Sequence, residues 1–273
     1  MEIAAHIAAV DREGRMLADA AERAGLRAAV PSCPPWRVSD LLRHQGYVHR
    51  WAARYVAEQI REPVPGESEE AILRGGPADA ALIGWFRDGH AGLVAALRTA
   101  APDVASWTFL DAPSPLAFWA RRQAHETAIH RADAQLAAGE VADYEPEFAA
   151  DGVDELILSF FGRDVVRQQR AGAAGTGTAV TSTAGPAPAP ERTLRLRAAD
   201  TGGEWFAEMS ADGGQATRVG RGTSPAACSL TGPAAGLYLL LWNRADAAVA
   251  RVTVGGDDQV LALWRAGMAI TWG

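Results

Sequence analysis

Two histidines and a glutamate fall within six residues of the stretch FWARRQAHETAIHRADAQL, Phe118 to Leu136. The pattern is His-Glu-x-x-x-His, one residue longer than the His-Glu-x-x-His of zinc proteases. On a helix each residue advances by about 100°. His125 and His130 are then about 140° apart and cannot both chelate one ion from a regular helix. Glu126 and His130 are four apart, so they share a face, one turn above the other. The competent pair is Glu126 with His130. Trp119, Gln123 and Asp133 share its stripe. Phe118, Ile129 and Leu136 on the neighbouring stripe should pack inward, which turns the pair towards the interior of a bundle or its mouth. A carboxylate there is costly unless it is paired or metal-bound.

Two donors do not make a metal site, so a third must come from a facing helix. In DLLRHQGYVHRWA, His44 shares its face with Leu41, Val48, Trp51 and Tyr55, whereas His49 lies about 140° away and points elsewhere. His44, Glu126 and His130 together form a set of two histidines and one carboxylate, which suits a catalytic zinc with an open fourth position and other divalent metals as well. Blander readings stay open at this point. An inward histidine is commonly a hydrogen-bonded core residue, and Glu and His four apart form an ordinary helix-surface pair. His6 and His90 read as surface or core-satisfied histidines. Arg121, Arg122 and Arg131 can bind an anionic substrate, or can pair with Glu126 and Asp133 on an exposed helix.

The elements that must position these residues are helices. Apolar periodicity predicts one over about Glu2 to Gly25 and a second opening at Arg37 or Ser39 and stopping near Pro63. A third covers ADAALIGWFRDGHAGLVAALRTA, a fourth the stretch after DAPSP, and a fifth lies around DGVDELILSFFGRDVVRQQR. Short connections between them suggest an up-and-down bundle over residues 1–170. The segment 171–191 is small, polar and Pro-rich, and reads as a flexible linker. Strand-like runs follow (RTLRLRAA, EWFAEMS, QATRVGR, AACSLTG and VARVTVGG), interleaved with two helical segments, so 192–273 reads as a smaller α+β domain.

Composition narrows the function. The 273 residues carry a formal net charge of -7, and all 26 basic residues are arginine. An acidic chain lacks the basic face that nucleic-acid binding needs. Two cysteines, Cys33 and Cys228, argue against a disulfide framework or a cysteine zinc site and read as small buried hydrophobes. The N-terminal stretch is unlike a signal peptide, and no run reaches the roughly 18 apolar residues of a membrane span. The expected location is the cytoplasm. Oligomeric state is not legible.

PPWRVSDLLRHQGYVHRWA followed by FWARRQAHETAIHRADA resembles the mycothiol-dependent maleylpyruvate isomerase family, within the wider DinB-like metal-binding four-helix proteins. The shared pattern is Trp-x7-His, Trp36 to His44, with His-Glu-x-x-x-His-Arg-x-Asp-Ala on the fourth helix. GLYLLLWNRADAAVARVTVGGDDQVLALW resembles the family's C-terminal domain, similar to sterol-carrier-type α+β folds. The resemblance implies a divalent metal, usually zinc, on His44, Glu126 and His130, with His125 and Arg131 in support. It also implies mycothiol as thiol co-substrate. A metal-bound thiol is deprotonated. As thiolate it would add to an activated cis double bond, and rotation and elimination would give the trans isomer. Relatives would use the thiol on other small electrophiles. An arginine for a substrate carboxylate is expected, with Arg122 and Arg244 as candidates. The leading expectation is therefore a metal- and thiol-dependent isomerase or transferase. A metal-containing ligand-binding protein without chemistry is the alternative, and a structural protein without metal the third.

Overall fold

The structure, a computed structural model, describes residues 1–65, 68–163, 165, 192–210 and 215–267. The expected linker at 171–191 lies outside the described residues.

Among the described residues, five helices build the first compact unit: α1 (Ile3–Ala24), α2 (Val38–Ala57), the short α3 (Glu69–Arg74), α4 (Asp79–Thr99) and α5 (Pro115–Ala137). The four long ones pack as a ring, with α1 against α4 and α5, and α2 against the same two. The core between them includes Leu17, Val30, Val38, Leu41, Leu42, Leu82 and Phe86. Their starts are legible in local chemistry. Arg37 is the N-cap of α2, and its backbone N–H donates to Asp40 Oδ2 at 2.8 Å. Ser114 caps α5, accepting from the Ala117 N–H at 3.2 Å, with Pro115 at the first helical position. Gly46 is required where α4 meets α2, since a Cβ there would lie 2.2 Å from the Trp85 ring. The helix α3 was not foreseen; Ser68 caps it by accepting from the Ala71 N–H. No described helix is long and apolar enough to cross a membrane.

The helix α5 departs from the one-sided stripe expected of it. It is buried along nearly its whole length, polar residues included. The charges on it are therefore matched inside the protein. Arg131 Nε lies 2.6 Å from Glu13 Oε2 on α1, with both side chains 2% exposed. An Arg131 guanidinium N–H also donates to the Asp143 carbonyl at 2.7 Å. In place of an anionic substrate or a counter-charge on an exposed helix, Arg131 makes a buried tie between α5 and α1.

The division between compact units falls between Asp143 and Tyr144, not at residue 170 as the sequence suggested. The fifth predicted helix is α6 (Pro146–Asp154), running on into a π-helical stretch, Glu155–Phe161. It belongs with the second unit because its apolar face is used there. α6 packs on α7 (Ala234–Leu241), and Tyr238 meets Tyr144 and Phe148 edge-on at 5.2 and 6.4 Å. The five strands are β1 (Thr193–Ala198), β2 (Glu204–Met209), β3 (Ala216–Arg221), β4 (Cys228–Gly232) and β5 (Thr253–Gly256), in sheet order β3-β2-β1-β4-β5. β1 pairs with β4 in parallel; the other pairs are antiparallel. Leu194 and Leu196 on β1 and Cys228 and Leu230 on β4 are buried. A last helix, α8 (Asp258–Gly267), buries Val260, Leu261 and Trp264. The α plus α+β class read from the sequence is the observed one.

The Glu13–Arg131 tie is testable. Glu13→Leu strands a buried guanidinium and is expected to cost about 3–5 kcal/mol, read as a lower denaturant midpoint. The double variant Glu13→Leu/Arg131→Met should be more stable than Glu13→Leu alone.

Candidate metal centre

The chain brings His44, Glu126 and His130 together. One nitrogen or oxygen from each lies within 4.8 Å of the others. His130 Nε2 is 3.3 Å and His44 Nε2 is 3.6 Å from the same atom, Glu126 Oε1. The two imidazoles stand edge-on, ring centres 4.9 Å apart. All three residues are buried, and Glu126 Oε1 has no hydrogen-bond partner of acceptable geometry. A buried carboxylate oxygen facing two imidazole nitrogens, without a donor aligned on it, fits a cation between the three. The donors match a zinc-type site in kind and number.

The helical rotation that selected this trio holds in three dimensions. His125 is fully buried on another side of α5, edge-on to His6 at 6.1 Å. His49 is also fully buried. Its Nε2 lies 3.0 Å from Thr127 Oγ1 and 2.9 Å from Gln45 Nε2, and its ring packs beside Phe86 and His90. His90 is core-satisfied, with Nε2 3.0 Å from the Val10 carbonyl.

The surroundings of the trio set its charge. An Arg122 guanidinium N–H donates to Glu126 Oε2 at 3.0 Å from a side chain only 3% exposed. The sequence offered Arg122 for substrate or as a counter-charge; its observed partner is Glu126. Arg244, the other candidate, follows α7 in the second unit and donates to the Trp242 carbonyl at 2.7 Å. Asp133 Oδ2 lies 2.8 Å from His130 Nδ1. Ser32 Oγ donates to Asp133 Oδ1, and the Cys33 thiol lies 3.5 Å from Oδ2. Cys33 is thus a half-buried thiol beside this cluster and not the buried hydrophobe expected, whereas Cys228 is fully buried. The Trp36 ring flanks both imidazoles, 5.0 Å from His44 and 6.3 Å from His130. The sequence reading missed Ser32 altogether. It noted Asp133 as a residue on the stripe and as a counter-charge for the arginines, not as a partner of His130, although three-residue spacing from His130 was a usable signal.

Burial would raise the Glu126 carboxyl, but the facing imidazoles of His130 and His44 and the charge of Arg122 outweigh it, holding the group well below the usual carboxylate range. Burial pushes His44 below its ordinary value, partly offset by Glu126. His130 behaves oppositely: burial works against its charged form, but Asp133 and Glu126 win and push it up to about 9. At neutral pH the cluster therefore holds an ionised Glu126, a neutral His44 and a protonated His130.

The profile of the mycothiol maleylpyruvate isomerase N-terminal domain matches residues 7–135, and that of the MDMPI C-terminal domain matches residues 147–263. The chain belongs to the mycothiol-dependent maleylpyruvate isomerase family. Two solved structures share the fold of this family member. One is the crystal structure of a histidine-to-alanine mutant of the mycothiol-dependent maleylpyruvate isomerase, with TM-score 0.61, 14% identity and 93% of each chain covered. The other is the crystal structure of the mycothiol-dependent maleylpyruvate isomerase, with TM-score 0.58, 12% identity and 90% of each chain covered. No curated protein sequence matches the chain.

A divalent cation entering this cluster must displace the His130 proton. With that proton held to about pH 9, zinc affinity should rise about tenfold per pH unit from near neutrality and level off above that point. Chelator competition across this range checks the slope; a flat profile would mean that His130 is not a ligand.

Proposed function

We propose that this family member is a divalent-metal- and mycothiol-dependent isomerase or transferase acting on a small electrophile, maleylpyruvate or a compound like it. The observation that carries the reading is the approach of one donor atom each from His44, Glu126 and His130 to within 4.8 Å of one another. A bound divalent ion, zinc by this ligand chemistry, would supply Lewis acidity that keeps a thiol deprotonated near neutral pH.

The protein's own residues prepare that site. Burial keeps His44 neutral, so its lone pair is available. His130, His44 and Arg122 together keep Glu126 ionised, and Arg122 holds one of its oxygens, leaving Oε1 to face the imidazoles. The charges of Arg122 and His130⁺ balance those of Glu126 and Asp133. Exchanging one proton for a divalent ion leaves a single excess positive charge, which an anionic thiolate would match. Trp36 shields one side of the imidazoles from water. No side-chain nucleophile is required, since the co-substrate brings the sulfur. Arg122 and Arg244 remain the arginines assigned to an anionic substrate, and of the two Arg122 would act beside the metal. Free cysteines and a reduced thiol co-substrate fit a reducing compartment, the cytoplasm.

Elemental analysis of protein purified without a histidine tag should find one zinc per chain in the parent, and none in His44→Ala or Glu126→Ala. Mycothiol with maleylpyruvate, and with a panel of activated alkenes and epoxides, should give turnover that saturates in thiol and falls to the uncatalysed background in either variant. Metal without turnover on any electrophile would support the non-catalytic binding protein; no metal would end the proposal.

A further inference from the structure

Asp133 is a fully buried carboxylate that the metal reading leaves without a task. It stands three residues beyond His130 on α5, which brings Oδ2 to 2.8 Å from His130 Nδ1. Its other oxygen accepts from Ser32 Oγ. Ser32 belongs to the segment joining α1 to α2, which is itself tied down. The Val30 N–H donates to the Trp36 carbonyl at 2.9 Å, the Trp36 N–H to the Cys33 carbonyl at 2.7 Å, and Ala29 bridges to Arg37. The same segment carries Trp36 to the two imidazoles.

We propose that Asp133 is a positioning residue for the metal centre, and that Ser32 holds it in place. This deepens the metal reading above and rests on it. An imidazole whose Nδ1–H donates to a carboxylate has its lone pair on Nε2. In His130 that is the atom 3.3 Å from Glu126 Oε1. Without Asp133 the ring is free to turn half a revolution about its last bond, which exchanges ring nitrogens for ring carbons. Ser32 occupies Oδ1 and so leaves Oδ2 to His130 and the Cys33 thiol. Ring orientation on α5 is in this way determined partly by a loop that supplies no metal ligand.

The test compares the parent with Asp133→Ala, Asp133→Asn and Ser32→Ala, measuring zinc affinity by chelator competition and the visible absorption of the cobalt(II)-loaded forms. Asp133→Ala should weaken zinc by ~10–100-fold and change the position or intensity of the cobalt bands. Asp133→Asn, which keeps an acceptor for Nδ1–H, and Ser32→Ala should shift both readouts the same way by less. A merely structural role would lower thermal stability and leave the cobalt spectrum in place. Zinc affinity within about twofold of the parent, with an unchanged cobalt spectrum in Asp133→Ala, overturns the proposal. If that variant does not fold, the same result in both Asp133→Asn and Ser32→Ala overturns it. A parent that binds neither ion overturns the metal reading itself, and is distinguishable from a parent that binds while the Asp133 variants bind equally well.

Discussion

Everything at this centre follows from the burial of α5. A helix enclosed along nearly its whole length carries Arg122, Glu126, His130, Arg131 and Asp133, and each ionised group must be met within the protein or be discharged. Glu13 meets Arg131, Arg122 meets Glu126, and Asp133 meets His130. The first of these crosses from α5 to α1 and fixes how α5 is rotated; the other two lie within α5. Turning it by one residue, about 100°, would press charged groups against the apolar faces of α1 and α2. The same rotation turns Glu126 and His130 towards His44. The candidate metal centre and the tie to α1 are two consequences of one requirement.

Shared atoms make the cluster electrostatically economical. Glu126 divides its oxygens between Arg122 and the imidazoles, and His130 divides its nitrogens between Asp133 and Glu126. Two carboxylates hold a proton on His130 well above its ordinary range, and a cation bound there would replace that proton in the same field. The segment between α1 and α2 closes the arrangement with Ser32, Cys33 and Trp36, so residues far apart in the chain depend on one another. A polar layer of a different kind lies deeper, where Gln45, His49 and Thr127 bond among themselves and His49 packs beside His90.

The second unit is built on other principles. The parallel strands β1 and β4 bury Leu194, Leu196, Cys228 and Leu230 on alternate positions, while Arg197 on β1 and Arg218 on β3 are exposed. Asp154, at the end of α6, accepts from Arg221 on β3 and from the Trp205 indole on β2, which ties the helix to the sheet. That tie, with the rings of Tyr144, Phe148 and Tyr238, explains why α6 belongs with the sheet and why the division falls before it.

Periodicity and capping are local, so the sequence alone determined the long helices, the strand runs and the α plus α+β class. The same regularity singled out Glu126 with His130 over His125, and His44 over His49, because angular spacing on a helix does not depend on its neighbours. Tertiary structure decided what spacing cannot express. It put Arg131 of α5 on Glu13 of α1, far away in the chain, brought Ser32 to Asp133 from a loop without periodicity, and assigned α6 to the sheet. Those contacts depend on which surfaces remain to be covered once helices pack, and that is a property of the assembled chain and not of any one segment.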